Sequence, residues 1–323
     1  MNKKTDENKK LLEYNFSDLY IDKNKDFYIS DERYLNSLKK IEPLDKEIFY
    51  QVLKDIPHKA SSYSMNYDGT FFRIEYVMSV GGELYCLRRM PQKVPSIHDL
   101  NYDRKFIQHL ISLSSHSGLI LWSGSTGSGK TTAISSLLVE YLNLQGGFAY
   151  TIEDPAEMPL EGIYKAVNGS IGFCKQTEVR NDNWSDPLKS ALRSKPRYIF
   201  IGEIRTPDAA KECLRASISG HLVLATIHGS SITDSLSSLV KYASYNMSES
   251  SAYDILSRGL LCAVKQDLIG TKLESRPYIE TLFTNPNQNK GCQVRAIIRS
   301  GKLNLGTSIE MQTVRLAQGQ PLF

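Results

Sequence analysis

The most specific chemical signal in this 323-residue chain is a run of eight residues. Gly124, Ser125, Thr126, Gly127, Ser128, Gly129, Lys130 and Thr131 satisfy the spacing G-x-x-x-x-G-K-[ST]. Glycines let the backbone turn tightly enough to aim successive N–H groups at phosphate oxygens, and a helix starting at that point adds the positive end of its dipole. Lys130 is placed to reach the terminal phosphates, and the Thr131 hydroxyl to ligate Mg²⁺. The nucleotide-binding set is therefore Ser125, Thr126, Gly127, Ser128, Gly129, Lys130, Thr131 and Thr132, with ATP and Mg²⁺ as ligands. The plain alternative is a glycine-rich turn that binds nothing. The context opposes it, because an apolar run at 119–122 precedes the loop and helical spacing follows it over 131–144, stopping before Gly146 and Gly147.

A bound triphosphate also needs a carboxylate to orient or deprotonate the attacking water. The apolar run 198–201 ends in Gly202 and Glu203, which puts Glu203 at the edge of the sheet where a phosphate loop lies, as the candidate base. A second run ends in Glu153 and Asp154, offered to the metal or its water shell, with Glu153 acting through water. Exposed acids at strand ends are commonplace. Two of them in a chain with this loop point to function. His221 and His228 flank the run 222–227, and His228, at its C-terminal end, is a candidate γ-phosphate sensor.

From residue 100 onward, helical segments alternate with short apolar strands at 119–122, 148–153, 198–202 and 221–227. That alternation predicts a parallel sheet covered by helices, an α/β fold. Residues 250–316 read as mainly helical, with an irregular stretch at 284–291. Ahead of residue 91 the pattern differs. Residues 16–29, 71–80 and 83–89 alternate in strand fashion, Gly81 and Gly82 signal a hairpin, and 44–56 has helical spacing that stops at Pro57. This reads as a small α+β unit. The resulting division is a basic disordered tail at 1–12, an N-terminal domain at 13–90, a proline-bounded linker at 91–100, and the α/β domain with the phosphate loop at 101–323.

Composition excludes several classes. With 41% hydrophobic and 23% charged residues the chain is neither collagen-like nor broadly disordered. No apolar run approaches the roughly 20 residues of a membrane-spanning helix, and the charged first ten residues do not read as a signal peptide. The net charge is +4. Lys3, Lys4, Lys9 and Lys10 against Asp6 and Glu7 put half of it in the tail, so the remainder gives no basic stripe and no direct nucleic-acid binding is expected. The five cysteines (Cys86, Cys174, Cys213, Cys262 and Cys292) are scattered, with no C-x-x-C pair to suggest a zinc site or disulfide framework.

With these residues in view the chain resembles the secretion-superfamily ATPases of type II and type IV secretion and type IV pili. It looks nearest to the DotB/TraJ-like type IVB secretion and conjugation motors and the PilT-like retraction motors. The resemblance rests on four boxes in order. They are the phosphate loop at 124–132, an acidic box from Thr151 to Glu157, an atypical Walker B at 199–205 and a histidine box from Gly220 to His228. Looser matches lie at 176–180, 191–193 and 294–302. Arg197 and Thr206 stand where family members commonly carry Asp, and the four-cysteine insertion of some subgroups is missing. The resemblance implies a RecA-like P-loop motor domain with a parallel-rich sheet, a PAS-like α+β N-terminal domain, and assembly as a homo-hexamer. In such rings the neighbouring N-terminal domain closes over ATP, and Arg73 and Arg88 match the basic positions that reach the phosphates. It also implies a cytoplasmic protein recruited to the inner membrane by secretion or pilus components, beside a second cytoplasmic ATPase. A RecA-type nucleic-acid motor and a non-catalytic, nucleotide-gated assembly subunit remain as other readings.

Overall fold

The computed structural model describes residues 9–30, 37–55, 62–179, 183–270, 275–287 and 291–323. The chain divides into two compact units, Met1–Lys93 with Pro155–Pro159, and Val94–Asp154 with Leu160–Phe323.

In the first unit, strands β1 (Asp18–Asp22), β2 (Phe27–Ser30), β3 (Leu38–Ile41), β4 (Ser62–Tyr67), β5 (Thr70–Ser79) and β6 (Gly82–Arg89) form an antiparallel sheet. Its order is β3-β2-β1-β6-β5-β4, joined by helix α1 (Glu47–Asp55). Alternate positions point to one face, so Leu19, Ile21, Phe27, Phe72, Ile74, Tyr85 and Leu87 bury together and Ile48 and Val52 of α1 complete the core. The turn between β4 and β5 is Asp68 and Gly69, both at positive φ, the backbone that a two-residue hairpin needs. β4 escapes a pattern reading because its inward residues, Tyr63, Met65 and Tyr67, alternate with serine and asparagine rather than charge.

Of the tail expected at 1–12, residues 1–8 lie outside the described residues. Within it, Leu11 and Leu12 pack on the core of the first unit. Leu11 is 0% exposed, and its N–H donates to Asp45 Oδ1 at 2.6 Å. One apolar side chain in a charged stretch is enough to dock the segment.

The second unit contains α2 (Arg104–Ser112), β7 (Gly118–Ser123), α3 (Lys130–Gln145), β8 (Gly147–Glu153), β9 (Gly162–Lys165), β10 (Ile171–Glu178), α4 (Ser185–Ser194) and β11 (Tyr198–Ile201). It continues with α5 (Pro207–Ser217), β12 (Leu222–Ile227), α6 (Ile232–Ser244), α7 (Glu249–Gly259), β13 (Leu260–Gly270), β14 (Ser275–Phe283), α8 (Gln293–Arg299) and α9 (Gly306–Gln318). The sheet order is β14-β13-β7-β12-β11-β8-β10-β9, parallel from β13 through β10 and antiparallel at its two edges. The inner strands β7, β11 and β12 are buried at every position, as expected of strands covered on both faces. On one face Leu119, Leu121, Ile199, Ile201, Val223 and Ala225 share a core with Cys213 of α5 and Leu236 of α6.

The expectation of a mainly helical C-terminal part is corrected here. Residues 260–270 and 275–283 are strands that pair with each other, and the first of them also pairs with β7. The run Leu260, Leu261, Cys262, Ala263, Val264 is buried throughout against a neighbouring strand, and a short apolar run carries no period that separates this from a helix.

Among the described residues no helix is long and apolar enough to cross a membrane.

Candidate active site

β7 delivers the chain into the phosphate loop with its strand fully buried, so the loop springs from a rigid base. Gly124, Gly127 and Gly129 all take positive φ, at 150°, 77° and 84°. Gly124 is required for a second reason, since a Cβ there would overlap the Gln266 backbone oxygen and lie 2.7 Å from Ser128 Oγ. Gly129 caps α3 without a side chain, which leaves the first backbone N–H groups of the helix facing the loop. The Lys130 ammonium folds over the loop and donates to the carbonyls of Gly124 at 3.0 Å and Ser125 at 2.7 Å. Thr131 and Thr132 stand in the first turn of α3. Ser128 Oγ is a buried hydroxyl with no hydrogen-bond partner.

Three neighbouring parallel strands end level with β7. Register sets Ser123 beside Ile227, Ala225 beside Ile201, and Ile201 beside Ile152. His228, Glu203 and Glu153 therefore emerge at one edge, next to the phosphate loop, where ligands bind in open α/β sheets. His228 Nε2 lies 2.9 Å from Glu203 Oε1 and 3.4 Å from Thr126 Oγ1, so it links the loop to the candidate base. The backbone around Glu203 is stitched to β12, because the Thr226 hydroxyl donates to the Gly202 carbonyl and the Ile204 N–H donates to the Thr226 carbonyl at 2.8 Å. Arg205 pairs with Asp154 and lies 4.0 Å from the second oxygen of Glu203.

Glu153 sits deeper, at 1% exposure. Its Oε1 accepts from Thr151 Oγ1 at 2.7 Å and Gln176 Nε2 at 2.8 Å, the hydrogen-bonded state a buried carboxylate requires. Gly202 makes room for it, with a Cβ there falling 3.1 Å from Glu153 Cγ. Hydroxyl and carboxylate oxygens are the donors a hard divalent cation takes, so Thr131 and Glu153 suit Mg²⁺ in type.

Arg73 and Arg88 belong to the first unit, where they are direct cross-strand partners on β5 and β6. Each is matched by an acid of that same unit, Arg73 by Glu157 at 3.7 Å and Arg88 by Asp18 at 2.8 Å. The hydrogen bond to Asp18 raises the Arg88 pKa above its ordinary value. His221 lies at the other end of β12, buried, its Nδ1 2.6 Å from the Pro196 carbonyl, in a structural position. At the two departures from the family pattern, Thr206 accepts from the Ala209 N–H as the cap of α5, and Arg197 donates to the Ser114 carbonyl and lies over the Tyr198 ring. Arg180, at the end of the loosely matching segment 176–180, lies outside the described residues.

Three participants were missing from the sequence reading. Arg205 was within the quoted Walker B segment, and its alternation with Glu203 was the available signal. Thr226 is a lone hydroxyl in an apolar strand. Gln266 is 2% exposed in β13, and was hidden by the helical reading of that stretch.

This α/β core with a phosphate loop and a carboxylate at the ends of parallel strands is a RecA-like arrangement, preceded in the chain by an α+β unit on a six-stranded antiparallel sheet. Residues 62–313 match the family described as Type II/IV secretion system protein, and the chain belongs to that family. It is 36% identical over 159 residues to the competence protein ComGA of Halalkalibacterium halodurans, a match covering 49% of this chain and 43% of that protein. The chain thus spans less than half the length of the curated relatives it first matches. Among solved structures, the ATPase DotB of Legionella pneumophila superposes with a TM-score of 0.72 at 22% identity, over 93% of this chain and 84% of that one. The pilus retraction motor PilT with bound ADP superposes with a TM-score of 0.69 at 26% identity, over 96% and 88%.

Proposed function

We propose that the chain is an ATPase motor that hydrolyses ATP to ADP and phosphate and drives a bacterial secretion machine through the opening and closing of a homo-hexameric ring. The observation that carries this reading is the side-chain line Thr126, His228, Glu203, which joins a phosphate loop to a carboxylate across three adjacent strand ends. Loop N–H groups and Lys130 hold the phosphates. Mg²⁺, when bound, neutralises developing phosphate charge, and the residues that would hold it are Thr131 directly and Glu153 through water. Glu203, oriented by His228, takes the proton of the attacking water. Arg73 and Arg88 of a neighbouring copy stabilise transition-state charge.

The machine we infer first is a type IVB secretion or conjugation system, entered from the cytoplasmic face of the inner membrane through membrane components and a second ATPase. A PilT-like role in pilus retraction is the second reading, favoured by the 26% identity shared with that motor. Glu203→Gln keeps shape and removes the base. It is expected to retain ATP affinity within a few-fold and lose about 10²–10⁴ in turnover, measured by phosphate release from purified protein. Parental turnover in that variant would overturn the assignment. A pull-down of Glu203→Gln with ATP, identifying the membrane proteins retained, separates the two machines.

A further inference from the structure

Gln266 lies one strand away from the phosphate loop and outside every box that defines the family resemblance. Its side-chain amide is buried, and both its oxygen and its nitrogen are engaged. Oε1 accepts from Trp122 Nε1 at 2.7 Å and from the Tyr102 hydroxyl at 2.6 Å, and Nε2 donates to the Ser128 carbonyl at 2.6 Å. The orientation of the amide follows from chemistry. An indole N–H only donates and a backbone carbonyl only accepts, so the oxygen must face Trp122 and the nitrogen must face Ser128. The Tyr102 phenol, protonated at neutral pH, is the donor in its bond to Oε1.

The bond to Ser128 controls more than one oxygen. The Ser128 carbonyl and the Gly129 N–H belong to one planar, trans peptide group and point in opposite directions. A carbonyl held outward by Gln266 therefore turns the Gly129 N–H inward, to the concave side of the loop, where phosphate oxygens lie in a G-x-x-x-x-G-K-T turn. The contact is tight on both sides of the loop. A Cβ on Gly129 would fall 3.0 Å from Gln266 Nε2, and one on Gly124 would overlap the Gln266 backbone oxygen. At the far end of the network, Tyr102 immediately precedes Asp103, the cap of α2.

We propose that Gln266 is a positioning residue of the phosphate loop, holding the Ser128–Gly129 peptide in its phosphate-binding orientation while Tyr102 and Trp122 hold the amide. This rests on the nucleotide-site reading above. It acts on the ground-state cradle, so its loss falls mainly on nucleotide affinity and KM.

The test uses the full chain and a fluorescent ADP and ATP titration with Mg²⁺, alongside melting of the nucleotide-free protein. Gln266→Glu keeps the acceptor for Trp122 and Tyr102 and replaces the donor to Ser128 with an oxygen. It is expected to weaken ADP and ATP together by at least tenfold, to raise KM by a similar factor, and to melt below the parent, because it sets a buried carboxylate oxygen against a carbonyl. Parental affinity in a folded Gln266→Glu protein overturns the proposal. If that variant does not fold, Tyr102→Phe, which removes one donor at the half-buried end of the network, carries the test. A KM raised two- to fivefold supports the proposal, and an unchanged KM overturns it. A parent protein that binds no nucleotide, and that Lys130→Ala leaves unaltered, would fail the functional reading itself, an outcome distinct from either of these.

Discussion

Replacing Gly124 by alanine tests whether the phosphate loop is held by the sheet or only adjacent to it. Gly124 has φ of 150°, where an L side chain is strained, at a cost on the order of 1–3 kcal/mol. The added Cβ would overlap the Gln266 backbone oxygen and reach 2.7 Å from Ser128 Oγ, against roughly 3.4 Å for an ordinary contact. Overpacking of that kind costs about 1–3 kcal/mol more. The Gln266 backbone belongs to β13, which is paired with β7 on one side and β14 on the other, so the strand does not yield. The loop must move instead, by about an ångström, and the combined cost of about 2–6 kcal/mol falls on the nucleotide-binding geometry. Since about 1.4 kcal/mol is a factor of ten, the expected loss of nucleotide affinity is at least about 30-fold. Titration with ATP and Mg²⁺, together with a melt of the nucleotide-free protein, checks it. Affinity within threefold of the parent in a folded Gly124→Ala protein would refute the reasoning, because it would mean that the loop relaxes without consequence.

Other expectations follow from the same geometry. Lys130→Ala removes the ammonium that bridges the Gly124 and Ser125 carbonyls and is expected to abolish measurable nucleotide binding, checked by equilibrium titration. His228→Ala unlinks the loop from Glu203; with its side chain half exposed, it should lower turnover about 10- to 100-fold, of the order of one lost acid–base or orienting contact, with little change in melting temperature. Thr206→Ala removes the cap of α5 and is expected to cost about 1 kcal/mol, read as a lower urea midpoint. Stability should also fall at alkaline pH. Burial raises the pKa of Tyr141, Cys213 and Cys262, so the folded state holds their protons more tightly than the unfolded state. Their contribution is fully present below the ordinary thiol and phenol ranges and is lost as pH rises through and above them. Urea midpoints that fail to drop between about pH 8 and about pH 11 would contradict this.

Much of the site was legible because its signals are local. The G-x-x-x-x-G-K-T spacing, the apolar runs that end in Glu153 and Glu203, and the histidine closing the run at 222–227 each fit within a dozen residues, and backbone chemistry alone gives them meaning. Strands buried on both faces announce themselves as unbroken apolar runs, as at β7, β11 and β12. The same rule failed at β13, where an apolar run beside a helix reads equally well as more helix. β4 was missed because its alternation is carried by tyrosine and methionine against serine and asparagine, a weaker contrast than apolar against charged. Leu11 was lost to a tail because composition weighs the average of a segment, and one docked side chain does not change an average.

The sequence by itself determined that a phosphate loop opens a helix after a buried strand, that acids follow two further strands, and that the domain carrying them is α/β. The tertiary structure alone decided which of these meet. Parallel register brings the ends of β7, β12, β11 and β8 level, so that His228 spans Thr126 and Glu203. Gln266 reaches Ser128 and Trp122 across 138 and 144 residues of chain. The physical reason is range. Backbone preference and periodicity act over a few residues and are written in local order, whereas hydrogen bonds between side chains depend on strand order and register, which are set by how the whole core packs.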